Sequence, residues 1–213
     1  MDAAVRIEPN PKWIRAVLDG RTVVDSRAVK FVWERPYYPS WYVPAGDVHD
    51  PSLPTKEIEA LPDHVRVRWD AVDHWFEEDV EVFVHPRDPH TRVDALASSR
   101  QVRVIIEGTT VAESTRPTIL FETGLPRRFY LPPTDVRLDL LTPTDTTTAC
   151  PYKGWASYWT ATIDGVEHPD VVWSYRTPLP ESRTVAGLMC FFDEKVDVEV
   201  DGVAQDRPRT PFS

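Results

Sequence analysis

The chain contains one internal repeat, and that repeat restricts its possible folds more than any other feature. Residues 15–48, RAVLDGRTVVDSRAVKFVWERPYYPSWYVPAGDV, align without a gap to residues 103–136, RVIIEGTTVAESTRPTILFETGLPRRFYLPPTDV, at a constant offset of 88. Gly20 matches Gly108, Ser26 matches Ser114, Glu34 matches Glu122, Tyr42 matches Tyr130, and Asp47-Val48 match Asp135-Val136. Self-similarity over such a stretch marks one structural unit used twice. The stretches diverge after Asp-Val. The second continues through RLDLLTPTDTTTACPYKGWASYWTATIDGVEHPDVVWSYRTPLP; the first passes instead through the Pro-rich HDPSLPTKEIEALPD. The expected layout is a first, truncated module over 1–81, a connector over 82–102 and a second, complete module over 103–213.

The repeat reads as β. Asp19-Gly20, Glu107-Gly108, Asp164-Gly165 and Asp201-Gly202 each separate short apolar or alternating runs. A two-residue hairpin needs positive φ at both central positions, which Asp-Gly and its relatives supply. Val29–Trp33 and Thr118–Phe121 are β-branched and aromatic runs suited to a further strand. Pro36, Pro39, Pro44, Pro126, Pro132 and Pro133 end those strands. Helix is expected only over Trp69–Glu78, where Val72, Trp75 and Phe76 fall at i, i+3, i+4, and over Glu181–Leu188. The fold class is therefore mostly β: two related small antiparallel β modules packed into one body, with little helix.

Charge narrows the function. The formal net charge of −10 lacks the basic footprint that nucleic acid or an anionic membrane requires, so neither partner is expected. No apolar run approaches the roughly 20 residues of a membrane span. MDAAVRIEPNPKW does not read as a secretory leader. Two cysteines, Cys150 and Cys190, make no disulfide framework and point to a reducing compartment, the cytoplasm. No C-x-x-C pair and no H-x-H or H-x-x-x-H spacing occurs, so no metal is expected. No cofactor is indicated.

Three constellations carry candidate chemistry. In Cys150-Pro151-Tyr152-Lys153-Gly154, a lysine three residues from a thiol suits an activated nucleophile; Lys153 could equally form a Schiff base or anchor an anion, and the plain alternative is a core cysteine beside a surface lysine. Glu122 ends an apolar strand, with Arg127, Arg128 and Tyr130 close behind it. It reads either as a general base or as a structural anchor, and Glu34 in the copy without Cys-Pro-Tyr-Lys-Gly favours the anchor. Tyr152, Trp155, Tyr158, Trp159, Trp173 and Tyr175 crowd into 24 residues, one face for core and the other for the walls of a pocket. The candidate catalytic residues are Cys150, Lys153 and Glu122. The candidate ligand contacts are Arg128, Tyr130, Tyr152, Ser157, Tyr158, Trp159, Trp173 and Tyr175. A small-molecule site acting on a small polar substrate is the first expectation. A non-catalytic ligand site is the second. The third is a homodimer or other interaction through strand edges left by the trimmed segment near Ser52–Ile58.

Leu141–Trp159 (L-x-P-x-D-x-x-T-x-C-P-Y-K-G-x-A-S-Y-W), with L-F-E-T…F-Y-L-P-P-x-D-V before it and V-V-W-S-Y-R-T-P-L-P…A-G-L-M-C-F-F behind it, resembles the bacterial and fungal domain-of-unknown-function 427 family. The resemblance covers roughly 103–203 and the first strands and tail of the first copy, and it implies a small, mostly β module. The family also carries a nucleotidyltransferase-like label. That chemistry uses an Asp-x-Asp pair for Mg²⁺ and a glycine-rich phosphate loop; neither Asp-x-Asp nor Gly-x-Gly occurs here.

Overall fold

The structure, a computed structural model, describes residues 5–35 and 37–210; Pro36, expected to end a strand, lies outside them. The chain divides into two compact units, Met1–Pro89 and His90–Ser213. The first unit carries β1 (Arg6–Pro9), β2 (Ile14–Leu18), β3 (Arg21–Ser26), β4 (Lys30–Trp33), β5 (Ser40–Pro44), β6 (Thr55–Lys56), β7 (His64–Val67), β8 (His74–Glu77) and β9 (Val80–Val82). These form two antiparallel sheets, ordered β1-β4-β5-β7-β6 and β3-β2-β8-β9. Alternate side chains from both sheets meet in one apolar cluster, with Ile14 and Ala16 from β2, Phe31 from β4, Val43 from β5 and Trp75 from β8. Each large apolar side chain fully buried there contributes roughly 1.5–3 kcal/mol.

The second unit carries β10 (Val93–Ala97), β11 (Val102–Ile106), β12 (Thr109–Ser114), β13 (Thr118–Glu122), β14 (Arg128–Leu131), β15 (Leu141–Cys150), β16 (Gly154–Ile163), β17 (Val166–Tyr175), β18 (Met189–Phe191), β19 (Asp197–Val200) and β20 (Val203–Ala204). Its sheets are ordered β10-β13-β14-β18-β17-β16-β15 and β12-β11-β19-β20. Val104, Ile106, Phe129, Leu131, Val172 and Phe191 share the cluster to which both sheets contribute.

The offset of 88 holds strand by strand. Val24 bridges Val48 as Ala112 bridges Val136. The β2–β3 register shifts at Ala16/Val17, and the β11–β12 register shifts at Val104/Ile105. Arg6 faces Trp33 as Asp94 faces Phe121, so the correspondence reaches back to residue 6, beyond the readable repeat. All four expected hairpins form, with positive φ at both central residues, for example Asp19 at 49° and Gly20 at 70°. Beyond β5 the first unit returns to β7 through residues 45–63. The second takes the longer path 132–188, which holds the β15–β17 strands.

Residues 82–102, expected as a connector, include β10, which pairs along its whole length with β13. Two expectations are corrected. Trp69–Glu78 is not a helix: a 3-10 turn covers Trp69–Ala71, and His74–Glu77 then extends as β8, pairing with both β2 and β9. Long-range pairing to an otherwise open edge of β2 outweighs a helical period of only three apolar residues. Glu181–Leu188 holds a 3-10 segment over Pro180–Val185 rather than a helix to Leu188. Among the described residues, helical structure is confined to short 3-10 turns.

Val84 holds φ at 71°, a region that β-branched residues rarely occupy. Val84→Gly is expected to raise stability by about 0.5–1 kcal/mol in urea melts, since relief of the left-handed strain exceeds glycine's added unfolded-state entropy.

Candidate functional site

The seven-stranded sheet has two faces. Ile119, Phe129, Leu131, Met189 and Phe191 point into the core between the sheets. Alternation puts their neighbours on the other face, where Leu120, Tyr130, Ala156, Tyr158, Trp173, Tyr175 and Cys190 form a second cluster with Cys150 packed against it.

At one end of this cluster the β15–β16 hairpin turns through Pro151, Tyr152 and Lys153, with Cys150 opposite Gly154. Gly154 has φ +92°, and a Cβ there would also sit 3.5 Å from the Thr177 carbonyl oxygen. The turn is tied down from the following loop. The Leu179 N–H donates to the Lys153 carbonyl at 3.1 Å, and the Ser182 hydroxyl donates to the Tyr152 carbonyl at 3.3 Å. Lys153 is thereby held in the interior, 9% exposed. Its ammonium donates to the Glu122 carboxylate at the end of β13.

Burial alone would lower the Lys153 pKa. The nearby Cys150 and the charge and hydrogen bond of Glu122 outweigh it, and the value is raised. Burial pushes Tyr175 up, helped by Cys150, Tyr158 and Glu122 nearby. Burial also raises Tyr158, whose hydroxyl is 2.7 Å from the Thr148 hydroxyl. The structure thus brings Cys150, Lys153, Glu122, Tyr158 and Tyr175 together.

The remaining expected contacts lie elsewhere or do other work. Arg128 is buried and bonded through both terminal nitrogens to Glu194, at 2.8 and 2.5 Å. Tyr130, 1% exposed, accepts a hydrogen bond from Trp173 Nε1 at 3.1 Å, so both belong to the packed cluster. Tyr152 is half-buried within the turn. Ser157 and Trp159 alternate with Ala156 and Tyr158, and Trp159 packs on the inter-sheet core instead. A hollow of about 500 Å³ in this unit is lined by Phe121, Arg127, Asp193 and Gln205 among others, and none of Cys150, Lys153 or Glu122 borders it. Cys190 is fully buried, and burial raises its thiol pKa.

The matching carboxylate of the first unit shows what is specific to the second. Glu34 is held by Lys56 and, at 2.7 Å, by Arg66. Tyr42, buried in the position matching Tyr130, has its pKa pushed up to about 12 by burial and by the Glu34 charge. A carboxylate–cation pair at the end of this strand is therefore common to both units, and the thiol beside it is not.

Comparison with known families matches residues 6–57 and 94–202 to a domain of unknown function, DUF427. The gap in that match, residues 58–93, falls on the end of the first unit's return path and on the strands that follow it, and the match restarts within β10. No curated protein matches the chain.

Proposed function

The chain belongs to the DUF427 family, and from that premise we propose that its second unit is a small-molecule site in which Cys150 is the reactive group, acting on a small polar substrate. The observation that carries this reading is the buried Lys153 ammonium, bonded to the Glu122 carboxylate in the same tight turn as the Cys150 thiol. The thiolate is the nucleophilic form of cysteine, and a fixed adjacent cation is its natural counter-charge. Because its partners hold the proton on Lys153, the side chain supplies positive charge and does not serve as a neutral amine for a Schiff base. Glu122 is a positioning residue, since the same carboxylate recurs as Glu34 with no cysteine beside it. Cys150 is half-buried and is the point at which a substrate would enter.

Alkylation of the native protein by iodoacetamide, read by peptide mapping, tests this. Sulfur displaces iodide from the reagent carbon, and the expected rate at Cys150 exceeds that at Cys190 at least tenfold. Lys153→Gln slows Cys150 labelling about tenfold at neutral pH, whereas Lys153→Arg keeps it near wild type. Equal labelling of the two cysteines, or a rate indifferent to the charge at 153, would reduce the cluster to packing.

A further inference from the structure

The first unit contains a cavity of about 240 Å³ that takes no part in the chemistry above. Its floor is aromatic. The Trp41, Trp69 and Trp75 rings lie 5.3–5.6 Å apart, with Trp69 and Trp75 stacked. On one side the Tyr38 and His85 rings stack at 3.9 Å. Arg35, Arg66 and Arg68 stand around it. Arg66 is paired with Glu34, and Arg68 is paired with Asp70 at 2.6 Å. Arg35 is exposed and has no ion pair among the described residues.

Two further observations indicate that this hollow is built for an occupant. Trp41 is 4% exposed, and its Nε1 is a buried donor without a hydrogen-bond partner. The Trp75 indole, by contrast, donates to the Trp69 carbonyl at 3.0 Å. Unpaired buried donors are uncommon and call for an acceptor. Val84, the strained residue on this chain segment, also lines the cavity, and such backbone outliers cluster where ligands are clamped.

We infer that the first unit binds a planar aromatic carboxylate of one or two rings through this cavity. The aromatic walls suit a flat ring. The unpaired indole N–H and the guanidinium groups are donors only, so the ligand must bring acceptors and negative charge. Guanidinium matches a carboxylate in geometry as well as charge. Drug-sized ligands occupy roughly 300–1,000 Å³, so this smaller volume selects one or two rings. The inference is independent of the Cys150 reading, since every residue it uses lies in the first unit.

Isothermal titration of the full chain with 1-naphthoate tests it, with 1-naphthalenemethanol and cyclohexanecarboxylate as the uncharged and non-aromatic controls. Saturable one-site binding of naphthoate is expected, with at least tenfold weaker binding of either control. Arg35→Met, on an exposed side chain, should weaken naphthoate at least threefold while leaving the urea midpoint unchanged. Trp41→Phe, which keeps the ring and removes the N–H, should weaken it further. Cys150→Ala should leave the titration unaltered. Failure of naphthoate to bind at millimolar concentration, equal binding of the uncharged control, or affinity indifferent to both Arg35→Met and Trp41→Phe would overturn the inference.

Discussion

Arg128→Met is expected to lower the stability of the second unit by about 3–5 kcal/mol, the cost of leaving one member of a buried ion pair alone. The guanidinium reaches both carboxylate oxygens of Glu194, whose side chain is 0% exposed. Thr210 donates to the same carboxylate at 2.6 Å. Burial acts to lower the Arg128 pKa, but the Glu194 hydrogen bonds and the surrounding negative charges win and raise it. Methionine fills much of the volume but strands Glu194. The double variant Arg128→Met/Glu194→Leu should recover most of the loss, because an apolar pair of similar size is close to neutral in such a place. Urea unfolding of the three proteins measures all of this. If the single variant loses less than about 1 kcal/mol, Glu194 is not desolvated as described.

The same corner sets a pH dependence. Burial pushes the Asp193 carboxyl up to about 7, against the pull of Arg128. The folded state therefore holds this proton more tightly than the unfolded chain, whose aspartate titrates near about 3.9. The resulting stabilisation is complete below about pH 4 and is lost as pH rises through about 7. Asp193→Asn should flatten that part of the stability profile. Asp135 has the opposite sign: hydrogen bonds from Arg116 and Ser114 hold it at about 2, so its contribution is complete above about pH 4 and is lost as pH falls through about 2.

Lys153→Met carries the second large effect, again about 3–5 kcal/mol, because it leaves the Glu122 side chain, 8% exposed, without its cation. Adding Glu122→Gln to that variant should restore part of the loss, and the shortfall from additivity measures the coupling. Since the Lys153 pKa is raised, its contribution is complete below the ordinary lysine range and is lost only as pH rises beyond the folded value. Lys56→Met is the contrasting case. Its side chain is 53% exposed and Glu34 keeps Arg66, so a loss under about 1 kcal/mol is expected.

Both the legible and the illegible parts have physical reasons. Hairpin turns were readable because positive φ at two successive residues demands special side chains, and Asp-Gly supplies them. Strands β2–β4 and β11–β13 were readable because matched apolar positions such as Val17 and Ile105 do the same work in each unit. β1 and β10 were not: Arg6–Pro9 and Val93–Ala97 share no residues at the offset, since edge strands there are held by backbone pairing with β4 and β13 rather than by particular side chains. The meeting of Cys150, Lys153 and Glu122 was legible only as chemistry, because the 27 residues between Glu122 and Cys150 hide their approach. Alternation along β16 was legible, but not which of its faces meets the inter-sheet core, the face on which Trp159 packs. The aromatic cavity was invisible because Trp41, Trp69 and Trp75 come from β5, a 3-10 turn and β8, and the last two lay in a segment that read as helix.

In the seven-stranded sheet, β17, β16 and β15 all lie outboard of β18, and in the first unit only the two-residue β6 lies outboard of β7. The Cys150–Gly154 turn thus rides on an extension beyond strands that already close in a shorter form, where Leu53 from the brief return path enters the core. An outrigger of this kind can be lengthened, exchanged or dropped while the inboard frame keeps its register. Grafting residues 132–188 between Val43 and Val65 is the direct way to ask whether the chemistry travels with the outrigger.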